Sequence, residues 1–154
     1  GKQVALLIDE AQAMPLPTLE VLRLVSNLET EKRKLLQIVL FGQPELDKRL
    51  ADPSVRQIRQ RITFHHYLGG LARSELENYL AHRLRVAGYR GESLFGARAL
   101  RLLFRASHGT PRLINILAHK ALLAVFGEGK QMVKGRHIRR AAHDTEGARH
   151  PGWW

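Results

Sequence analysis

The 154-residue sequence has no cysteine, which excludes a disulfide framework and a thiolate metal site and fits a reducing compartment such as the cytosol. It has no stretch near the roughly 18 apolar residues that a membrane helix needs. Gly1-Lys2 leads straight into a strand-like run, so no signal peptide is expected. The eight histidines show neither HExxH nor paired-ligand spacing, so a metal centre built on histidine is not expected. Internal repeats and low-complexity tracts are also absent. Acidic residues are short in supply in the second half. Residues 1–70 hold ten Lys+Arg against eight Asp+Glu, a net of +2, while residues 71–154 hold fifteen against six, a net of +9. A basic half points to polyphosphate, nucleic acid or an anionic membrane face nearby, although charge alone specifies no partner and a solvated helical surface looks the same.

What is present fits one soluble globular protein, with 44% hydrophobic residues and enough length for a sizeable core. Val4 to Ile8 is a continuous apolar run ending in Asp9-Glu10. Continuous rather than alternating hydrophobicity predicts a strand buried on both faces, as in a parallel sheet. Leu19, Leu22, Val25 and Leu28 recur at helical spacing, and Glu29 to Lys34 reads as a charged turn. Leu36 to Phe41 is a second buried strand, closed by Gly42. Strand, helix, strand in that order is a βαβ unit with a parallel sheet. Pro44 starts a short helix through Leu50, Ser54 to Arg61 is a short helical segment, and Ile62-Thr63-Phe64 reads as a third strand. Gly69-Gly70 is the clearest linker.

After the linker the pattern is helical throughout. Helices are expected over roughly 73–87, over 94–106, from Thr110-Pro111 to Gly127, and over 135–143. Thr110 suits an N-cap, and Pro111 suits the first helical position. The expected organisation is α/β over 1–68 and an all-helical piece of about four helices over 71–144. A flexible tail over 145–154 includes Trp153-Trp154, which could dock a partner.

Four motifs carry chemistry. Asp9-Glu10 at the C-terminal edge of a buried parallel strand sits where open α/β sheets bind ligands. In nucleotide hydrolysis such an Asp holds Mg²⁺, usually through water, and the adjacent carboxylate polarises the attacking water. The same run also suits an ordinary strand with an acidic turn. Gln43 at the tip of the second strand could orient that water, or be a polar strand end. Arg56, Arg59 and Arg61 could stabilise phosphoryl charge on a neighbour's nucleotide, or form a basic solvated helix. Arg112 falls in the first turn of a helix, where a cation is unfavourable by a few tenths of a kcal/mol. A role such as reaching a phosphate would compensate.

The order LLIDEAQ, LFGQPEL, RQIRQR and GTPRLIN resembles the AAA+ ATPases of the general secretion pathway protein A (ExeA) type, and among them the biogenesis ATPases of the MSHA type IV pilus (MshM). The resemblance covers about residues 3–144. It implies a P-loop NTPase core followed by a helical lid. It implies Walker B roles for Asp9 and Glu10, sensor 1 for Gln43, an arginine finger at Arg59 or Arg61, and sensor 2 for Arg112. ATP and Mg²⁺ are the implied cofactors of the complete protein. A homo-oligomer is implied, with inner-membrane pilus or secretion components as partners and a cytoplasmic location, peripheral to the membrane at most.

The sequence departs from the family in two places. Nothing matches the family's GxxxxGK[ST] segment, so a part of a longer protein or a split product is expected, inactive alone. The family's first lid helix opens on a capping Ser or Thr, where Ala72 stands here. The early end favours the pilus type over secretion members that continue into a membrane segment. Two rivals share these residues. DEAQ also resembles the Walker B box of superfamily 1 helicases, although Gln43 stands where their next motif is acidic. AAA+ proteins of DNA transposition and replication initiation share the motifs too, and a basic lid would suit a non-hydrolysing DNA-binding module.

Overall fold

The computed structural model of the chain describes residues 4–26, 29–30, 33–34 and 36–150. They fall into two compact units, Gly1–His66 and Tyr67–Trp154, the boundary lying just before the Gly69-Gly70 pair.

The first unit is α/β. Strand β1 (Val4–Ile8) leads through a 3-10 turn at Ala11–Ala13 into helix α1 (Leu16–Val25). Two short strands, β2 (Glu29–Thr30) and β3 (Arg33–Lys34), pair antiparallel where a charged turn was expected. Strand β4 (Leu36–Leu40) then returns beside β1. The pair is parallel and in register from Val4↔Leu36 to Ile8↔Leu40, as a βαβ unit requires. Helix α2 (Glu45–Leu50) follows, opened by Pro44 and carrying Glu45 and Asp47 in its first turn, where the helix dipole favours acids. A 3-10 turn at Pro53–Val55 and the four-residue helix α3 (Arg56–Arg59) occupy the segment expected to be one helix. Asp52 caps the 3-10 turn: its carboxylate accepts the backbone N–H of Ser54 at 2.9 Å. The core is small. Leu19, Leu22, Leu46, Leu50, Val55 and Ile58 are buried together, with Ile8, Ile38 and Leu40 packed against them.

Two expectations change here. Strand β1 is not buried on both faces: Leu7 is 63% exposed, because the helices cover only the face that carries Ile8, Ile38 and Leu40, and Val4, on that same face but at its far end, is still 56% exposed. The third strand at Ile62-Thr63-Phe64 does not form; residues 62–72 have no regular structure, and Phe64 is 90% exposed. Its residues have the right propensity, but a strand exists only through a hydrogen-bonded neighbour, and among the described residues none pairs with it.

The second unit is four helices: α4 (Arg73–Val86), α5 (Ala97–Ser107), α6 (Pro111–Gly127) and α7 (Gly135–His143). Apolar residues at helical spacing face one core containing Leu76, Leu80, Leu102, Leu103, Ile114, Leu117 and Ile138. Ala72 cannot cap α4 with its own side chain, but Glu75 supplies half of a capping box: its carboxylate accepts the Ala72 N–H at 2.7 Å. A parallel bridge between Phe95 and Val133, both buried, sets the starts of α5 and α7 side by side. Beyond α7 the chain stays docked where a free tail was expected. Ala148 packs on the core, and the Arg149 N–H donates to the Ala106 carbonyl at 3.0 Å. Trp153-Trp154 lie outside the described residues. No described helix is long and apolar enough to cross a membrane.

Candidate functional site

The parallel register brings the ends of β1 and β4 level, so Asp9-Glu10 and Phe41-Gly42-Gln43 emerge together at the C-terminal edge of the sheet. Backbone bonds continue the pairing past the strands. Phe41 N–H donates to the Ile8 carbonyl at 2.8 Å, and Ala11 N–H to the Phe41 carbonyl at 2.9 Å. Between these anchors the chain turns sharply. Glu10 takes the left-handed conformation, with φ 53°. For a residue with a Cβ that costs about 1–2 kcal/mol, so surrounding contacts must hold it.

Three of those contacts are side-chain bonds. Asp9 Oδ1 accepts the Glu10 N–H at 2.8 Å, which fixes the turn. Gln12 Nε2 donates to Glu10 Oε2. The other end of the same amide, Gln12 Oε1, accepts the Gln43 backbone N–H at 3.1 Å. Gln12 therefore bridges the two strand tips, with its donor on a carboxylate and its acceptor on an N–H, as amide chemistry allows. Gly42 makes room for the bridge, since a Cβ there would lie 3.1 Å from Gln12 Oε1 and 2.8 Å from the Leu46 side chain. The sequence reading missed Gln12. Its only sequence signal was its place two residues after the acidic pair.

Asp9, Glu10 and Gln43 are all exposed. Two carboxylates at an open sheet edge, hard oxygen donors free to face solvent, fit a hydrated divalent cation. Gln43 joins through its backbone; among the described residues its side-chain amide makes no hydrogen bond.

The arginines are placed differently. Arg59 ends α3 and is exposed, and Arg61 Nη1 lies 3.4 Å from Ser26 Oγ at the end of α1. Helix α3 packs on α1, and no described bond joins either arginine to Asp9, Glu10 or Gln43. Arg56 is likewise exposed.

Arg112 belongs to the second unit and is exposed in the first turn of α6. Thr110 is the N-cap residue but makes no side-chain capping bond. The turn before it is held by backbone geometry. His108 and Gly109 are successive left-handed residues, with φ 50° and 75°. The Gly109 carbonyl accepts the Leu71 N–H at 2.8 Å. Gly70 presses on the same turn: a Cβ on it would lie 2.8 Å from the His108 carbonyl oxygen. The glycine pair read as a linker thus ends against the loop that introduces Arg112. Among the described residues no group of three or more His, Asp or Glu could hold a metal ion.

Comparison with known proteins agrees with this layout. Residues 1–50 match the family model described as "AAA domain". The whole chain is 44% identical to general secretion pathway protein A of Aeromonas hydrophila, of which it spans 28%. The fold resembles the Thermotoga maritima RuvB Holliday junction branch migration motor at a TM-score of 0.69 and 14% identity, over 91% of this chain and 44% of that one. It resembles Cdc6p from Pyrobaculum aerophilum at a TM-score of 0.69 and 14% identity, over 92% of this chain and 39% of that one. With an α/β unit ending in an acidic strand tip, a helical unit following it in sequence, and likeness across all 154 residues, the chain is similar to the AAA+ ATPases, general secretion pathway protein A among them.

Proposed function

We propose that the chain supplies the Walker B, sensor and lid portion of an ATPase that powers or regulates assembly of a type II secretion apparatus or an MSHA-type pilus. The observation that supports this best is the bridged strand edge. Asp9 and Glu10 lie side by side, and Gln12 ties Glu10 to the backbone of Gln43. In this reading Asp9 would hold a hydrated Mg²⁺, which would supply positive charge against the phosphates. Glu10 takes a proton from the attacking water. Its left-handed backbone and the Gln12 amide aim the carboxylate before nucleotide arrives, so little reorganisation remains for the reacting state. Gln43 contributes its free amide as sensor 1.

Arg112 reaches the nucleotide's phosphates as sensor 2. The clamp of Gly70 and Leu71 on the preceding turn passes its movement to the start of the lid. Arg59 or Arg61 acts on the nucleotide of a neighbouring subunit in a homo-oligomer. Ser26 holds the guanidinium of Arg61, so Arg59 is the freer of the two. Binding of ATP itself requires a GxxxxGK[ST] loop, absent from these residues. The protein works in the cytoplasm, against inner-membrane components of the apparatus.

The test is turnover in a form of the protein carrying that loop. Glu10→Gln should bind nucleotide and stop hydrolysis. Gln12→Ala should bind normally and lower kcat by about 10- to 100-fold, within the range for general-base alignment. Hydrolysis by Glu10→Gln at the wild-type rate would remove Walker B from this chain.

A further inference from the structure

One face of the helical unit is unusually rich in arginine. On α5, Arg98, Arg101 and Arg105 recur at i, i+3 and i+7 and are all exposed, while Ala99, Leu102, Leu103 and Ala106 fill the opposite, buried face. Helix α7 adds Arg136, Arg139 and Arg140. The Phe95–Val133 bridge sets the starts of the two helices together, and between them lies an open cavity of about 450 Å³ lined by Arg98, Lys134, Arg136 and Arg139. At the far end of α5, the Arg149 N–H donates to the carbonyl of Ala106, the residue after Arg105.

Among the described residues the α5 stripe has no acid paired with it. Neither α5 nor α7 contains Asp or Glu. Of the nearest carboxylates, Glu128 is paired with Lys130 and Arg136, and Asp144 with Lys120. Among the described residues Arg98, Arg101, Arg105 and Arg149 have no ion-pair partner. The charge also works against the helices. Both α5 and α7 lack any acid in the first turn and carry Arg98 and Arg136 there instead. A surface tuned for stability alone would place carboxylates at those positive ends.

We propose that this face binds the phosphate backbone of duplex nucleic acid without reading sequence. Arg98 to Arg105 spans about 10 Å along the helix at ~1.5 Å per residue. One strand of a duplex presents about three phosphates over that distance, one for each guanidinium of the stripe. Arginine suits the task, because its planar fork pairs with two phosphate oxygens at once. A membrane is the poorer fit. The apolar side of α5 is spent in the core, and Met132 is the exposed large apolar side chain at the edge of the cavity, so there is little to insert between lipids.

The chain can be tested as it is. A fluorescein-labelled 20-base-pair duplex of arbitrary sequence is titrated and followed by anisotropy, beside vesicles containing phosphatidylglycerol. About four phosphate contacts predict a log–log salt slope near −3.6, a loss of about 100-fold in affinity between 50 and 200 mM salt. The triple variant Arg98→Glu/Arg101→Glu/Arg105→Glu should lose at least tenfold and flatten the slope. A control of equal charge change, Arg83→Glu/Arg85→Glu/Arg90→Glu, should keep most of the binding. Circular dichroism establishes that both variants fold; should the first triple fail to, Arg101→Gln alone should still reduce the slope by about one. Equal losses in the two triples, no duplex binding at 50 mM salt, or capture by vesicles with the duplex ignored would each overturn the proposal.

Discussion

Gly109→Ala should unfold the helical unit far more readily than any ordinary Gly→Ala change. Two costs add. Gly109 has φ +75°, a region that a Cβ disfavours by about 1–2 kcal/mol. Its added Cβ would also stand 2.2 Å from the Leu71 carbonyl oxygen and 3.0 Å from the Leu71 nitrogen. Those are backbone atoms, so the strand of chain carrying Leu71 must move. That breaks the 2.8 Å bond from Leu71 N–H to the Gly109 carbonyl, worth about 0.5–1.5 kcal/mol. The sum is about 1.5–3.5 kcal/mol. Gly88 is the internal control, since it has φ +91° but nothing within 4 Å of its Cβ position. Gly88→Ala should therefore cost only the conformational part, about 1–2 kcal/mol. Urea unfolding followed by the helical circular dichroism signal separates the two, because a difference of that size moves the midpoint by several tenths of a molar or more. Equal midpoints for both variants would refute the steric argument and with it the clamp between the glycine linker and the loop before Arg112.

Two further outcomes follow from the helical unit. Glu128 is held well below the usual carboxylate range, at about 2, chiefly by Lys130 and then by Arg136 and His137. A carboxylate whose pKa is lower folded than unfolded adds stability above its unfolded value of about 4.3, and that stability is lost as pH falls toward 2. Glu128→Gln should thus flatten the acid side of the stability profile and leave its slope above pH 5 unchanged in urea titrations; an unaltered acid limb would show that the Glu128 cluster does not couple to folding. Leu103 is fully buried at the centre of the core. Leu103→Ala should cost about 2–5 kcal/mol, read from the same unfolding curves, and a change under 1 kcal/mol would mean the cluster around it collapses into the space.

The elements that the sequence revealed are those fixed by local chemistry. The β1–α1–β4 order and its parallel pairing follow from two apolar runs around one amphipathic stretch. The ends of α4 and α6 were legible from Gly88, Pro111 and Gly127. What stayed hidden depended on neighbours distant in sequence. Ile62-Thr63-Phe64 has strand-forming residues and no ladder to join. The docking of Arg149 on α5 rests on one backbone bond that no side-chain pattern announces. At the candidate site, the acidic pair was legible as a strand tip, while Gln12 was not. Its role arises only when the register sets Gln43 opposite, and register is a property of the pair of strands rather than of either one. The same limit applies to the arginines: the contact of Arg61 with Ser26 depends on how α3 packs on α1, which no sequence pattern announces.

The left-handed backbone at Glu10 sets folding against chemistry at one codon. Glycine or asparagine would relax that φ, so replacing Glu10 with either one releases strain while discarding the carboxylate. Variants ranked by solubility or thermal resistance would favour such replacements, and under the role proposed for Glu10 variants ranked by hydrolysis would reject them. Under that role the glutamate stands in this conformation against the pull of stability, so that the most stable residue at position 10 and the chemically useful one are different.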